Sequence, residues 1–384
     1  MAGWIPAPDG IEAAIDKLAA DVAGMYANAE FRLIQAIMLD LQAGINRPGS
    51  IETSVRLGRL RAAAQQIVNE LETAAPDFLQ RVVDAAAQGG AHAALQQLAQ
   101  LSGITDITQN AIWATGNTAA NLLVADLTSR LADMNLRILR YPDDVYRAAV
   151  AKYGTDPILG LSTSRGAQQK IWQDLLNQGV TGFTDVSGRR WNLATYTEMA
   201  TRTATHRAWT DGHLAQLTGN GQDLVSVVVG IEACRSCARF AGKILSINGP
   251  AGMRVIEHAI NDYEYVNVDV YMTVDQARQE KGHFQGPNCR CRMVAYLPGL
   301  SIPTDSSSYD ERANTARVTL RDLEVQVRKA KMEIATSFSP AEARAGQRKV
   351  LDLQAKIREL VDAEDLQRKR YREQINLGFK NIPA

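Results

Sequence analysis

The chain has 384 residues, with 42 Lys and Arg against 42 Asp and Glu, so its formal net charge is zero. Hydrophobic residues make up 46 % and charged residues 22 %, ordinary proportions for a globular protein. This balance excludes wholesale disorder and a strongly basic nucleic-acid coat, and the length predicts two or three domains rather than one core.

Residues 1–140 carry 10 basic and 14 acidic side chains and read as helix almost throughout. Ile15, Leu18, Ala19, Val22 and Tyr26 recur at three-and-four spacing, and Leu33, Ile34, Ile37, Met38 and Leu41 resume it. Pro48-Gly49 breaks the pattern. A second helix is expected over Arg56 to Glu72, with punctuation at Pro76, Gly89-Gly90 and Gly103. A third is expected from about Thr108 to Leu139, ending before Tyr141-Pro142. Abundant alanine and few β-branched runs point to a helical platform. The least interrupted apolar stretch, Ala111 to Leu127, contains Asp126 and several polar residues, so no membrane span is expected. The N-terminus lacks the basic start and apolar run of a signal peptide, which predicts a soluble product made inside the cell.

The period changes in residues 141–308. A helix is expected over Ser164 to Gln178, then a short hairpin over Gly182 to Trp191 around a turn-rich centre, then a helix from Leu193 to Leu217. Leu224 to Val229 is the clearest strand, with weaker ones at Lys243 to Ile247 and Arg292 to Leu297. Residues 309–384, with 16 basic and 12 acidic side chains, read as a charged two-helix hairpin turning near Phe338 to Pro340. Ser308 with Glu311, and Ser339-Pro340 with Glu342, have the form of capping boxes. Leu320, Leu323, Val327, Ala330 and Ile334 face Val350, Leu353, Ile357 and Leu360 at coiled-coil spacing. So short a hairpin predicts docking on a partner surface or on the platform. The basic run Arg368, Lys369, Arg370 and Arg372 reads as a solvated helix face, with nucleic-acid contact as the alternative.

The fold class is therefore mainly α with a small α+β zinc-knuckle-like domain, between a helical platform and a helical hairpin. The expected domains are 1–140, 141–308 and 309–384.

No phosphate-binding glycine loop, nucleophile elbow or helical metalloprotease motif occurs. Of five histidines, His92 reads as a surface residue. His206 and His213 are seven apart on one helix face near Asp211, spacing that suits a hydrolytic site but equally an amphipathic helix. The cysteines are more pointed. All four, Cys234, Cys237, Cys289 and Cys291, lie within 58 positions. Cys234-Arg235-Ser236-Cys237 has the spacing at which one turn aims two thiolates at a tetrahedral ion, and Pro287-Asn288 turns the chain before Cys289-Arg290-Cys291. Four thiolates suit a structural Zn2+, with His283 in place of Cys291 as the alternative fourth ligand, because C-x-C is a tight spacing. Disulfides or reduced buried thiols are the other readings.

Gly182-Phe183-Thr184-Asp185, Gly188-Arg189-Arg190-Trp191, Tyr196-Thr197-Glu198-Met199 and Arg202-Thr203 come first. The strand Val225–Val229, the Cys234/Cys237 knuckle, Gly242-Lys243 and Asn288-Cys289-Arg290-Cys291 follow in order. Across about 160–300 this succession resembles tailed-phage minor capsid protein 2 and the related Mu F-like head-morphogenesis proteins. The resemblance implies a structural, non-enzymatic minor capsid protein of the virion, low in copy number with several copies per particle. It would sit in the capsid interior or at the portal vertex and act in head assembly or in genome packaging or ejection. The implied partners are the portal protein, the major capsid protein and packaged DNA, with the host cytoplasm as the place of assembly. Relatives often carry His-Pro directly before Asn-Cys, where this chain has Gly286-Pro287 with His283 upstream. Two other functions compete. One is a zinc-ribbon nucleic-acid binder using Arg189, Arg190, Trp191, Arg235 and Arg239; the other is a hydrolase using His206 or His213.

Overall fold

The computed structural model describes residues 11–42, 51–102, 113–153, 183–184, 190–229, 233–280, 286–287, 289–303, 309–337 and 339–375. Three long helices come first: α1 (Ile11–Gln42), α2 (Ile51–Ser102) and α3 (Trp113–Tyr153). The three-and-four spacing of apolar residues becomes their buried stripe: Ile15, Ala19, Val22, Tyr26, Leu33 and Ile37 on α1, and Leu60, Ala64, Ile67, Leu71 and Leu79 on α2. The expected breaks at Pro76, at Gly89-Gly90 and before Pro142 do not occur; α2 and α3 run through them. A proline forfeits one backbone bond, and buried Leu71, Ala75 and Leu79 hold the turns on either side of Pro76. The two glycines have another use, described below. The helix expected over 164–178 lies outside the described residues.

The chain divides into two compact units, each assembled from three stretches. One comprises Met1–Ala19, Asp77–Leu127 and Met199–Thr315. It contains most of α4 (Leu193–Gly219) and a five-stranded sheet. The strands are β3 (Leu224–Val228), β4 (Ile244–Ser246), β5 (Gly252–Glu257), β6 (Tyr265–Thr273) and β7 (Arg292–Ala295), in the order β5-β6-β4-β3-β7. Only β4 and β6 run parallel. The one-turn helix α5 (Arg235–Ala238) and α6 (Val274–Gln279) interrupt the strands. The β5–β6 hairpin was not expected, although Val266, Val268 and Val270 alternate with Tyr265, Asn267, Asp269 and Tyr271 in the period of a half-buried strand. Val225, Val227, Leu245, Phe240 and Met293 form the sheet core with Ala94 and Leu98 of α2 and Leu214 and Leu217 of α4.

Where α2 crosses α4 the backbones nearly touch. A Cβ on Gly90 would overlap the Trp209 carbonyl oxygen, and one on Gly212 would overlap that of Ala87. Glycine here serves close helix approach, which is why it does not end α2.

The other unit comprises Ala20–Pro76, Thr128–Glu198 and Ala316–Ala384. Arg56 pairs with Asp40, Arg32 with Glu70 and Arg61 with Asp143, tying its parts of α1, α2 and α3 together. The short hairpin is present as β1 (Phe183–Thr184) paired antiparallel with β2 (Arg190–Trp191). The two-helix hairpin consists of α7 (Glu311–Ala335) and α8 (Pro340–Ala363), closed by Leu320, Val327, Ala330, Leu353 and Ile357. Ser308 lies outside the described residues; Asp310 caps α7, accepting from the N–H groups of Arg312 and Ala313 at 2.8 and 3.2 Å. Ser339 caps α8 through the N–H of Glu342.

Candidate metal centre

Cys234 stands at the start of α5, and its carbonyl accepts from the N–H groups of Cys237 and Ala238, both at 3.0 Å. This single turn folds the C-x2-C segment into a knuckle. The second segment turns too: the Cys289 N–H donates to the Gly286 carbonyl at 3.0 Å, and the Cys291 N–H approaches the Cys289 sulfur at 3.5 Å. The sulfurs of Cys237, Cys289 and Cys291 all lie within 4.8 Å of one another, and those of Cys237 and Cys289 are 3.5 Å apart.

That is far beyond a disulfide bond of about 2.05 Å, and close to the roughly 3.8 Å between sulfurs sharing a tetrahedral ion at about 2.3 Å. All four cysteines are free thiols. Cys237 and Cys291 are buried at the edge of the sheet core. Cys234 is exposed, and its thiol hydrogen-bonds that of Cys237. His283 lies outside the described residues.

The electrostatics describe a crowd of thiols that cannot all ionise unaided. The hydrogen bond from Cys237 pulls Cys234 down to about 6. Bonds from Cys237 and Cys291 hold Cys289 well below the usual thiol range, with a smaller contribution from nearby His206. Hydrogen bonding with Cys234, Cys289 and Cys291 and burial push the Cys237 thiol far up. A dication would remove the conflict by stabilising every thiolate at once. The buried group Cys237, Cys289 and Cys291 can hold a metal ion.

The other expected sites come apart. His213 is fully buried, stacked on Trp209 with ring centroids 5.2 Å apart, and shares a 3.0 Å hydrogen bond with Gln97. Burial lowers it to about 4, as expected of a core histidine. Asp211 is engaged by Arg278 at 2.5 Å. Of the basic and aromatic residues weighed for nucleic acid, Trp191 is buried edge-on to Tyr196, so it offers no stacking face. Arg239 pairs with Glu280 at 2.6 Å, Arg189 lies outside the described residues, and the side chain of Arg190 is not described.

The basic run at 368–372 is solvated only in part: Arg370 is exposed, while Arg368 and Arg372 are not. Arg372 turns inward to Glu198, at 2.7 Å, and Arg368 clasps the buried Glu373 at 2.6 Å. Arg321 pairs with both Glu198 and the buried Glu324, and Arg328 donates to Thr195 at 3.0 Å. Burial works against the Glu198 charge, but Arg321, Arg372 and Arg328 outweigh it and hold its carboxyl below the usual range. Sequence spacing could not show this, because the carboxylate lies 174 residues from Arg372.

The family model of phage minor capsid protein 2 matches residues 12–362. The chain belongs to that family. No curated protein and no solved structure matches it. The match extends well beyond the motif-bearing middle of the chain, into α1–α3 and into the helical hairpin. Membership in the phage minor capsid protein 2 family supports a structural component of the phage head, located in the virion. Among the described residues no helix is long and apolar enough to cross a membrane.

Proposed function

We propose that this minor capsid protein is a low-copy docking part near the portal vertex, acting in head assembly or in genome packaging or ejection. The observation that carries the reading is the family match over 12–362, joined to an architecture of long helices, a docked hairpin and a compact cysteine knuckle. The direct test is capture of purified portal protein by the full chain. Saturable binding is expected, and binding to major capsid protein or DNA but not to portal would move the site of action elsewhere in the head.

The metal is Zn2+ in this reading, and its role is structural. Cys237, Cys289 and Cys291 supply three thiolates, with Cys234 as the fourth ligand or His283 in its place. Bound zinc fixes the knuckle to the segment that leads into β7 and contributes folding free energy on the order of 10 kcal/mol. Elemental analysis under reducing conditions should find one zinc per chain. Cys289→Ser should lose it, and comparing Cys234→Ser with His283→Ala identifies the fourth ligand. Metal-free protein with native stability would sink the assignment.

A further inference from the structure

The two edges of the five-stranded sheet differ. At β7 the Ala295 N–H donates to Gln97 of α2 at 3.1 Å, and Met293 and Ala295 lie in the core shared with that helix. At β5, residues Gly252 to Glu257 pair only with β6, and among the described residues no hydrogen bond reaches the outer edge. Met253 and Val255, on the exposed face of this strand, are 69 % and 70 % exposed, beside exposed Tyr265 and Tyr271 on β6. Folded proteins blunt a free edge with lysine, proline, a bulge or a covering segment. Among the described residues β5 has none of these: Arg254, its one cation, is bound to Asp223 at 2.7 Å.

We propose that the β5 edge receives an extended, lysine- or arginine-bearing segment of another head protein as an added strand. Charge selects this occupant. Residues 252–273 hold Glu257, Asp262, Glu264 and Asp269 against Arg254 alone, a net charge of −3. DNA phosphates are repelled by such a surface, and a second copy brings the same negative charge to its own edge. A basic strand is attracted. Its main chain completes the ladder, its apolar side chains cover Met253 and Val255, and its cations meet Glu257 and Asp269 on the same face, beside Tyr265. The turn adds a further contact: Tyr263 is 89 % exposed and sits at φ 69°, in the left-handed region, held by its N–H to Glu257 at 3.1 Å.

The inference rests on the proposed head function only for the source of the strand. The test uses the full chain with an acetylated Val-Lys-Val-Lys-Val-Lys-Val peptide, its glutamate counterpart and a short DNA duplex. Salt-sensitive binding of the lysine peptide, with slowed amide exchange at 252–257, is expected. Val255→Lys and Met253→Lys should each weaken it about tenfold or more while leaving the thermal melt unchanged, since both side chains are already exposed. Equal binding of the glutamate peptide, undiminished binding by Val255→Lys, protection of the hairpin by DNA, or self-association that Val255→Lys abolishes would each overturn it. If the chain is found in purified heads and the peptide fails, only this inference falls. If the peptide binds and the chain is absent from heads, the head function falls instead.

Discussion

Burial keeps the His213 imidazole neutral down to about pH 4, whereas in the unfolded chain it takes up a proton near 6.5. The unfolded state therefore binds more protons between these values. The stability from the neutral ring is complete above pH 6.5 and is lost as pH falls toward 4, by about 3 kcal/mol. Denaturant melts of the wild type and His213→Leu at pH 7 and pH 4.5 check this: the variant should show the shallower loss. Gln97 keeps its bond from the Ala295 N–H in the variant. Equal slopes would mean that the ring is already solvated. The sulfur cluster responds to acid in the same sense for another reason. Its thiols must lose protons to bind zinc, so zinc should be released as pH falls, read by a chromogenic chelator. Zinc retained through acid titration would argue against thiolate ligation.

At the α2–α4 crossing the side-chain-free surfaces of Gly90 and Gly212 face opposing backbone, which cannot swing aside. Gly90→Ala should therefore cost about 1–3 kcal/mol by overpacking, despite alanine's better helix propensity. Gly58, exposed on the same helix with nothing within 4 Å of an added Cβ, is the internal control. Gly58→Ala should stabilise by up to about 1 kcal/mol. Thermal melts of the two variants should move in opposite directions, and a neutral Gly90→Ala would show that the helices are not in backbone contact. Sequence reading takes Gly89-Gly90 as an interruption and runs the expected helices through Gly58 and Gly212, because the period of one helix carries no record of what crosses it.

For the molecule as a whole, the last segment is the one whose role changes most between sequence and structure. Arg372 brings the turn at 370–373 down on Glu198 of α4, beside Arg321 and Glu324 of α7, and Arg368 holds Glu373 of the same turn. Gln354 of α8 donates to Glu373 at 2.8 Å, so both arms of the hairpin take part. Removing one member of a buried ion network leaves its partner charged and dry, at a cost of about 3–5 kcal/mol. Arg372→Ala, or truncation after Asp365, should destabilise the chain by that order and open the hairpin to protease. A truncated chain as protease-resistant as the intact one would make the contact incidental. In infected cells, deleting 309–384 should reduce incorporation into heads, measured by quantitative mass spectrometry of purified particles.

The sequence by itself determined the local elements: helices from the spacing of Ile15, Ala19, Val22 and Tyr26, the hairpin caps at Ser339-Pro340, and the strand at Leu224. It also pointed to the sulfur site, because two cysteine pairs in a chain otherwise free of cysteine are a local signal. The β5–β6 hairpin is legible in the alternation of Val266, Val268 and Val270 with polar and aromatic residues, although no turn motif marks it. Tertiary structure alone decided where side chains from distant positions meet. It turned His213 into a core residue on Trp209 and Gln97, the basic tail into an ion network around Glu198, and Gly90 into a contact surface. The physical reason is the range of the forces. Backbone propensity and hydrophobic period act within a few residues and are written along the chain. Burial and charge pairing act across space, and they fix a residue's chemistry only after the chain has folded.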